Sequence, residues 1–270
     1  MESYSMSRAK NGTRGAWWDV VIIVLFVSLA SALTCKKNDS RPAMMKDSKF
    51  VDWKTFNLGR IQLFHPPRHQ HESNFADIAS GYDRAVTKIS QTLGIDSLPD
   101  TIRIFYFTGP NQGLEMTAQG RPYADSEAVY YWPAYTRGVS LTQYLLKRWS
   151  RVEPTNTFLK HGLIALFDHA GENYHQSTVE YANDTLFIPL AKLAVDTMIN
   201  SDVERYQSAE AASFCAFLIA RYGAPNLKAL YESPEPFLEF APRLLQTSVD
   251  ALESNWLEFA RRNAPDGAKK

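Results

Sequence analysis

Apolar positions change their spacing about halfway along this chain. Residues 51–56 and 60–64 are short runs rich in β-formers on either side of Asn57-Leu58-Gly59, the pattern of a hairpin, and His65-Pro66-Pro67 ends the second run. Phe75, Ile78, Ala79, Tyr82, Ala85, Val86, Ile89 and Leu93 then recur every three or four positions, predicting one amphipathic helix stopped by Gly94. A strong strand is predicted over 101–108, closed by Gly109-Pro110, and another extended piece over 128–132. Beyond it the period is helical, with helices expected over about 136–150, 155–170, 190–200, 203–222, 225–232, 234–246 and 248–262. Tyr222-Gly223 is a helix stop and Pro225 suits the first turn of the next helix. The fold class expected is α+β: a small N-terminal sheet with a packed helix, followed by a mainly helical half.

The pattern before residue 50 is of another kind. Arg8, Lys10 and Arg14 precede an apolar run from Val20 to Ala32, shorter than the roughly 20 residues that span a bilayer, so the segment reads as an export signal. Cys35 follows directly, in the setting of a bacterial lipoprotein signal whose Cys is lipidated. Ala32 and Thr34 depart from the usual residues three before and one before that Cys. An uncleaved anchor from near Trp17, or plain secretion, are the alternatives, and all three place the folded part outside the cytoplasm. Residues 36–49 are polar and read as a tether. The expected organisation is therefore 1–35 signal and lipidation site, 36–49 tether and 50–264 folded domain.

Composition changes this picture little. With 45% hydrophobic residues the 270-residue chain can build a substantial core and is too apolar for disorder. Its 29 basic residues balance 29 acidic ones, without clusters outside the termini, so nucleic acid is not expected as a partner. The only other cysteine, Cys215, lies in an apolar helical stretch and is expected to be buried as a small hydrophobe, with no disulfide.

Candidate chemistry is sparse. His65, His69 and His71 with Glu72 read as an exposed polar connector, because a His-Glu-x-x-His frame begun at His71 meets Phe75 at its fifth position. His161 and His169 are eight residues apart, about 12 Å along a helix, too far for one metal. Ser213 sits in a helix interior without a Gly-x-Ser-x-Gly elbow, so nucleophilic catalysis is not expected of it. No nucleotide-binding glycine motif occurs, and no cofactor is expected. The dense run Tyr130-Tyr131-Trp132-Pro133-Ala134-Tyr135 either packs the sheet on the helices or borders a cleft.

Three segments resemble a zinc metallopeptidase family. Phe158-Leu159-Lys160-His161-Gly162-Leu163-Ile164-Ala165 resembles the Trp-Leu-x-Glu-Gly-Leu-Ala helix of the peptidase MA-like gluzincins. The stretch Tyr206-Gln207-Ser208-Ala209-Glu210-Ala211-Ala212-Ser213-Phe214, running on to Tyr222-Gly223, is similar to the family's next helix. Leu252-Glu253-Ser254-Asn255-Trp256 is similar to its closing one. With the early hairpin, helix and strand the resemblance spans most of 50–262 and implies a zincin-like helical half.

The family's zinc site needs two His one turn apart, an intervening Glu and a downstream acidic ligand. No His lies between His71 and His161, so the helix of Ser140-Leu141-Thr142-Gln143-Tyr144-Leu145-Leu146-Lys147 offers Thr142, Gln143 and Leu146 in one register, or Gln143, Tyr144 and Lys147 in the next. His161 stands at the third-ligand position. The resemblance thus implies the fold without catalytic or metal residues, with a buried His161 facing Thr142 or Gln143. The cleft it implies is edged by Tyr131, Trp132 and Tyr206 and holds a peptide or protein partner at the envelope membrane. An active hydrolase with non-standard residues, or a purely structural envelope lipoprotein, are the rival readings.

Overall fold

Alternation builds the sheet. The computed structural model describes residues 50–168, 172–195 and 201–265, except the side chains of 201–206. Cys35, the signal segment and the tether lie outside the described residues. Every element below belongs to the unit that starts at Ser48. Strands β1 (Lys54–Leu58) and β2 (Ile61–His65) form the expected hairpin. The turn falls one residue later than the sequence suggested, at Gly59-Arg60, and residues 50–53 are a turn closed by Trp53 N–H on Phe50 O at 3.1 Å. β2 pairs parallel with β3 (Ile102–Tyr106), which pairs parallel with β5 (Ala128–Tyr131), and β4 (Tyr123–Ala124) closes the far edge antiparallel, giving the order β1-β2-β3-β5-β4.

One face of this sheet buries Ile61, Leu63, Ile102, Ile104, Tyr106, Val129 and Tyr131 in the main core. That core also takes the apolar stripe of α1 (Phe75–Leu93), which crosses over between β2 and β3 as parallel pairing requires. The other face carries a ladder of rings at directly paired positions. Phe64 stacks on Phe105 at 4.9 Å, Phe105 on Tyr130 at 5.2 Å and Tyr130 on Tyr123 at 4.4 Å, with Phe50 edge-on to Phe105. Cross-strand aromatic pairs of this kind hold register.

Pro110 opens α2 (Pro110–Thr117) rather than closing a strand, its missing N–H costing nothing at a first helical position. The helical half consists of α3 (Arg137–Trp149), α4 (Thr157–Leu166), α5 (Tyr174–Asn183), α6 (Leu190–Leu193), α7 (Ser201–Glu232), α8 (Phe237–Leu245) and α9 (Val249–Asn263). The α+β expectation holds: a five-stranded sheet in the first half and helices in the second. Within α7 the backbone leaves helical geometry at Gly223, φ 82° and ψ 160°, where the stop was expected. Helix α5 was not foreseen, because its exterior is polar; its Asn173 cap, which accepts from Gln176 N–H, is the local signal that marks it. Helix α4 ends at Leu166, and α6 is one turn of the longer helix expected there, residues 196–200 being outside the described residues.

Candidate functional site

Helix α3 has two unlike faces. Leu141, Thr142, Leu145, Leu146 and Trp149 are buried, whereas Val139 and Gln143 line an open cavity of about 550 Å³. The opposite wall is α4, which buries Phe158, Leu159 and Leu163 and turns Thr157, Lys160, His161 and Ile164 outward. The two helices that the family resemblance sets face to face do share a cavity here. Of the four positions that the resemblance singles out, Gln143 and His161 both line it. Ser208 of α7 and Asp168 complete its end, and Arg121 and Tyr135 form its rim.

Several expectations need correction. Thr142 and Leu146 are buried, 0% and 2% exposed, and among the described residues the Thr142 hydroxyl has no hydrogen-bond partner, so it does not hold His161. His161 is exposed rather than buried. The cause is periodicity: with Leu141 and Leu145 inward, the positions of α3 that reach the cavity are 139 and 143.

Tyr131 and Trp132 do not edge the cavity. Tyr131 is 4% exposed and donates to Tyr135 O at 2.9 Å, while Trp132 is fully buried, its indole occupying the space a side chain at Gly113 would need, 2.6 Å from where a Cβ there would be. The aromatic run therefore packs the sheet, except for Tyr135, which is 38% exposed at the rim. The side chain of Tyr206 lies outside those described; Ser208, two residues on, reaches the cavity.

A second cavity of about 400 Å³ adjoins the first. Gln143, Glu153 and Lys160 line both, and the second continues past Leu146, Lys147 and Ser150 to Tyr231. Together they form one elongated groove along α3. Lys160 Nζ and Glu153 Oε2 pair at 2.7 Å midway along it, half in solvent, where an ion pair adds little stability. The groove thus offers amide, imidazole, hydroxyl and paired charges beside apolar Val139 and Ile164. Glu153 and Lys160 were not singled out in the sequence, although Thr157, Lys160, His161, Ile164 and Asp168 recur at the three- and four-residue spacing of one helix face. Among the described residues no three His, Cys, Asp or Glu side chains gather where a metal ion could be held.

The other histidines are structural. His65 and His69 are each 3% exposed, not the open connector expected. His69 Nδ1 accepts from His71 N–H at 3.0 Å, which leaves the proton on Nε2 to donate to Phe107 O at 3.2 Å. Burial holds its pKa below the ordinary value, with the charges of His71 and His65 adding to it, so a neutral ring staples this loop to the end of β3. His169 lies outside the described residues. His175 does meet Ser213, Nδ1 to Oγ 2.9 Å, but Ser213 Oγ is fully buried and also accepts from Trp256 Nε1 at 3.0 Å. A hydroxyl so enclosed is a packing link between α5, α7 and α9. Cys215 is fully buried, with burial pushing its thiol pKa up, and is inert as expected of a core thiol.

No protein-family model matches this chain, and no curated protein matches it either.

Proposed function

We propose that this chain is a membrane-anchored, extracytoplasmic protein of the peptidase MA-like kind that has lost its zinc chemistry and binds a peptide or protein segment at the cell envelope. The observation that carries the reading is the elongated groove: two adjoining cavities with Gln143, Glu153 and Lys160 in common, walled by the helices that bear the family-like segments. An extended segment laid along α3 would meet the Gln143 amide, which donates and accepts as a peptide group does, and the His161 ring and Ser208 hydroxyl beyond it. Val139 and Ile164 would take apolar side chains. At the positions facing the cavity, valine and glutamine on α3 offer neither paired imidazoles nor a carboxylate base, which supports binding over hydrolysis.

Peptides selected from a displayed library on the full-length protein should compete with one another for one site. They should bind at least about tenfold more weakly to a Gln143→Ala/His161→Ala variant. Both side chains reach the cavity rather than the core, so the variant should melt like the parent. Equal binding to parent and variant, or hydrolysis of the selected peptides abolished by a chelator, would count against the reading.

The anchor is tested separately. Cys35 should carry an acyl mass at a mature N-terminus, and Cys35→Ser should leave the precursor uncut; an intact Met1 terminus on the membrane-bound protein would show an uncleaved helix instead. Among the described residues no helix is long and apolar enough to cross a membrane.

A further inference from the structure

On the flank of α3 turned away from the groove, three basic side chains converge on a cavity of about 290 Å³. Arg84 and Lys88 stand one turn apart on α1, and Arg137 opens α3 with its guanidinium lying over Gly81, 3.9 Å from where a Cβ there would be. Like charges at this spacing destabilise a helix, and a third facing them adds to the cost. Among the described residues no acid lines the cavity to offset it. Asp83, the nearest carboxylate in the sequence of α1, is engaged elsewhere by Arg60 Nε at 2.8 Å. Among the described residues Arg84 and Lys88 have no ion-pair partner. The positive end of α3 lies at the same spot and adds to the field.

The floor of this cavity is apolar. Ala85, Leu141 and the ring of Tyr82 form it, all buried. Tyr82 supplies a second, independent sign of a ligand. It is 1% exposed, it lines the cavity, and among the described residues its hydroxyl has no hydrogen-bond partner although it lies by Arg137 and the Tyr106 and Tyr131 hydroxyls. A buried O–H left unmade is uncommon and unfavourable. On its far side Arg137 also borders a more open hollow with Asp77 and His71, where mixed charges favour no single ligand.

We infer that this cavity binds the anionic head of a small amphiphile, a carboxylate or phosphate ester held by Arg137, Arg84 and Lys88, with its apolar body on Ala85, Leu141 and Tyr82. A guanidinium and two further cations suit an oxyanion, and an anion beside Arg137 would give the Tyr82 hydroxyl the acceptor it lacks. Free fatty acids and membrane phospholipids share this chemistry. The site is independent of the groove, since Gly138 and Leu141 serve one and Val139 and Gln143 the other.

The test is calorimetric titration of the full-length protein, kept in a neutral detergent, with decanoate, decyl phosphate, decyltrimethylammonium and inorganic phosphate. Flotation with vesicles of neutral or phosphatidylglycerol-containing lipid accompanies it. Decanoate and decyl phosphate should each bind saturably at one site, the cationic amphiphile and bare phosphate at least about tenfold more weakly. Lys88→Gln should weaken the anionic probes without lowering the melting temperature, Arg137→Gln should weaken them while also removing the hydrogen bonds its guanidinium gives the Tyr106 and Tyr131 hydroxyls, and Ala85→Leu, which fills the floor, should abolish their binding. Tyr82→Phe distinguishes a ligand role from a packing one: it should weaken binding yet leave the melting temperature unchanged or higher. Competition by decanoate for vesicle attachment would identify membrane lipid as a source, and attachment indifferent to decanoate would identify the free amphiphile. Equal binding of the cationic probe, binding unmoved in Arg137→Gln and Lys88→Gln, or the absence of saturable binding by either anionic probe overturns the inference.

Discussion

Gly162→Ala is expected to destabilise the protein by about 3 kcal/mol and to lower its melting temperature by roughly 6–12 °C. A Cβ at this position would sit 2.5 Å from Ala211 O, 2.7 Å from Ala211 C and 2.8 Å from Cys215 Sγ. Two of the three neighbours are backbone atoms of α7 and cannot rotate away. The third belongs to a fully buried thiol whose Sγ lies 3.6 Å from Leu159 O. Helix α4 must therefore lift from α7. The groove depends on that contact, because α4 presents Lys160 and His161 from the side opposite Gly162, so peptide affinity should fall in the same variant. Lys160→Ala is the control: it removes a half-exposed ion pair and should change stability by no more than about 0.5 kcal/mol. Thermal melts followed by circular dichroism decide the matter, and a Gly162→Ala protein that melts with the parent would show that the two helices do not cross so closely.

The fold was legible in the sequence where one face is buried. Helix α1 begins and ends within a residue of its apolar stripe, and the β2 and β3 strands alternate between the helical core and the ring ladder. Elements whose exteriors are polar escaped notice, α5 being the clearest case. The candidate site was legible only in part. Gln143 and His161 were named and share the groove, and Leu146, though buried, reaches its second cavity, but Thr142, Tyr131 and Trp132 were given to it on sequence order and belong to the core. Sequence order says which helix carries a site; a rotation of one position, set here by Leu141 and Leu145 packing inward, decides which residues open onto it. The basic cavity escaped because its cations come from segments about fifty residues apart that α3 and α1 bring together only when packed.

Glu210 should make stability fall as the pH rises. Its side chain is 0% exposed on α7, and both of its carboxylate oxygens receive the Ile188 N–H, at 3.1 and 3.3 Å. Burial raises its pKa from 4.5 to about 8; the Ile188 bond opposes the rise and the neighbouring charge of Glu253 adds to it. A carboxyl group whose folded pKa exceeds its unfolded one favours the folded state fully below about 4.5, and that contribution is lost as the pH climbs to about 8. By linkage the loss is on the order of 3–5 kcal/mol. It falls on the segment before α6, where Glu253 also holds Leu190 N–H. His69 and His175 act with the opposite sign. Burial lowers both pKa values below 6.5, so the stability they give is present above that value and is lost as the pH falls. The parent should therefore be most stable in weakly acidic solution. Glu210→Gln keeps an oxygen for Ile188 N–H but cannot ionise. Urea denaturation at about pH 5 and about pH 9 should show similar stabilities at the lower pH, with the Gln variant the more stable at the higher one. Stability curves that stay parallel for parent and variant would show that Glu210 is not the group being ionised.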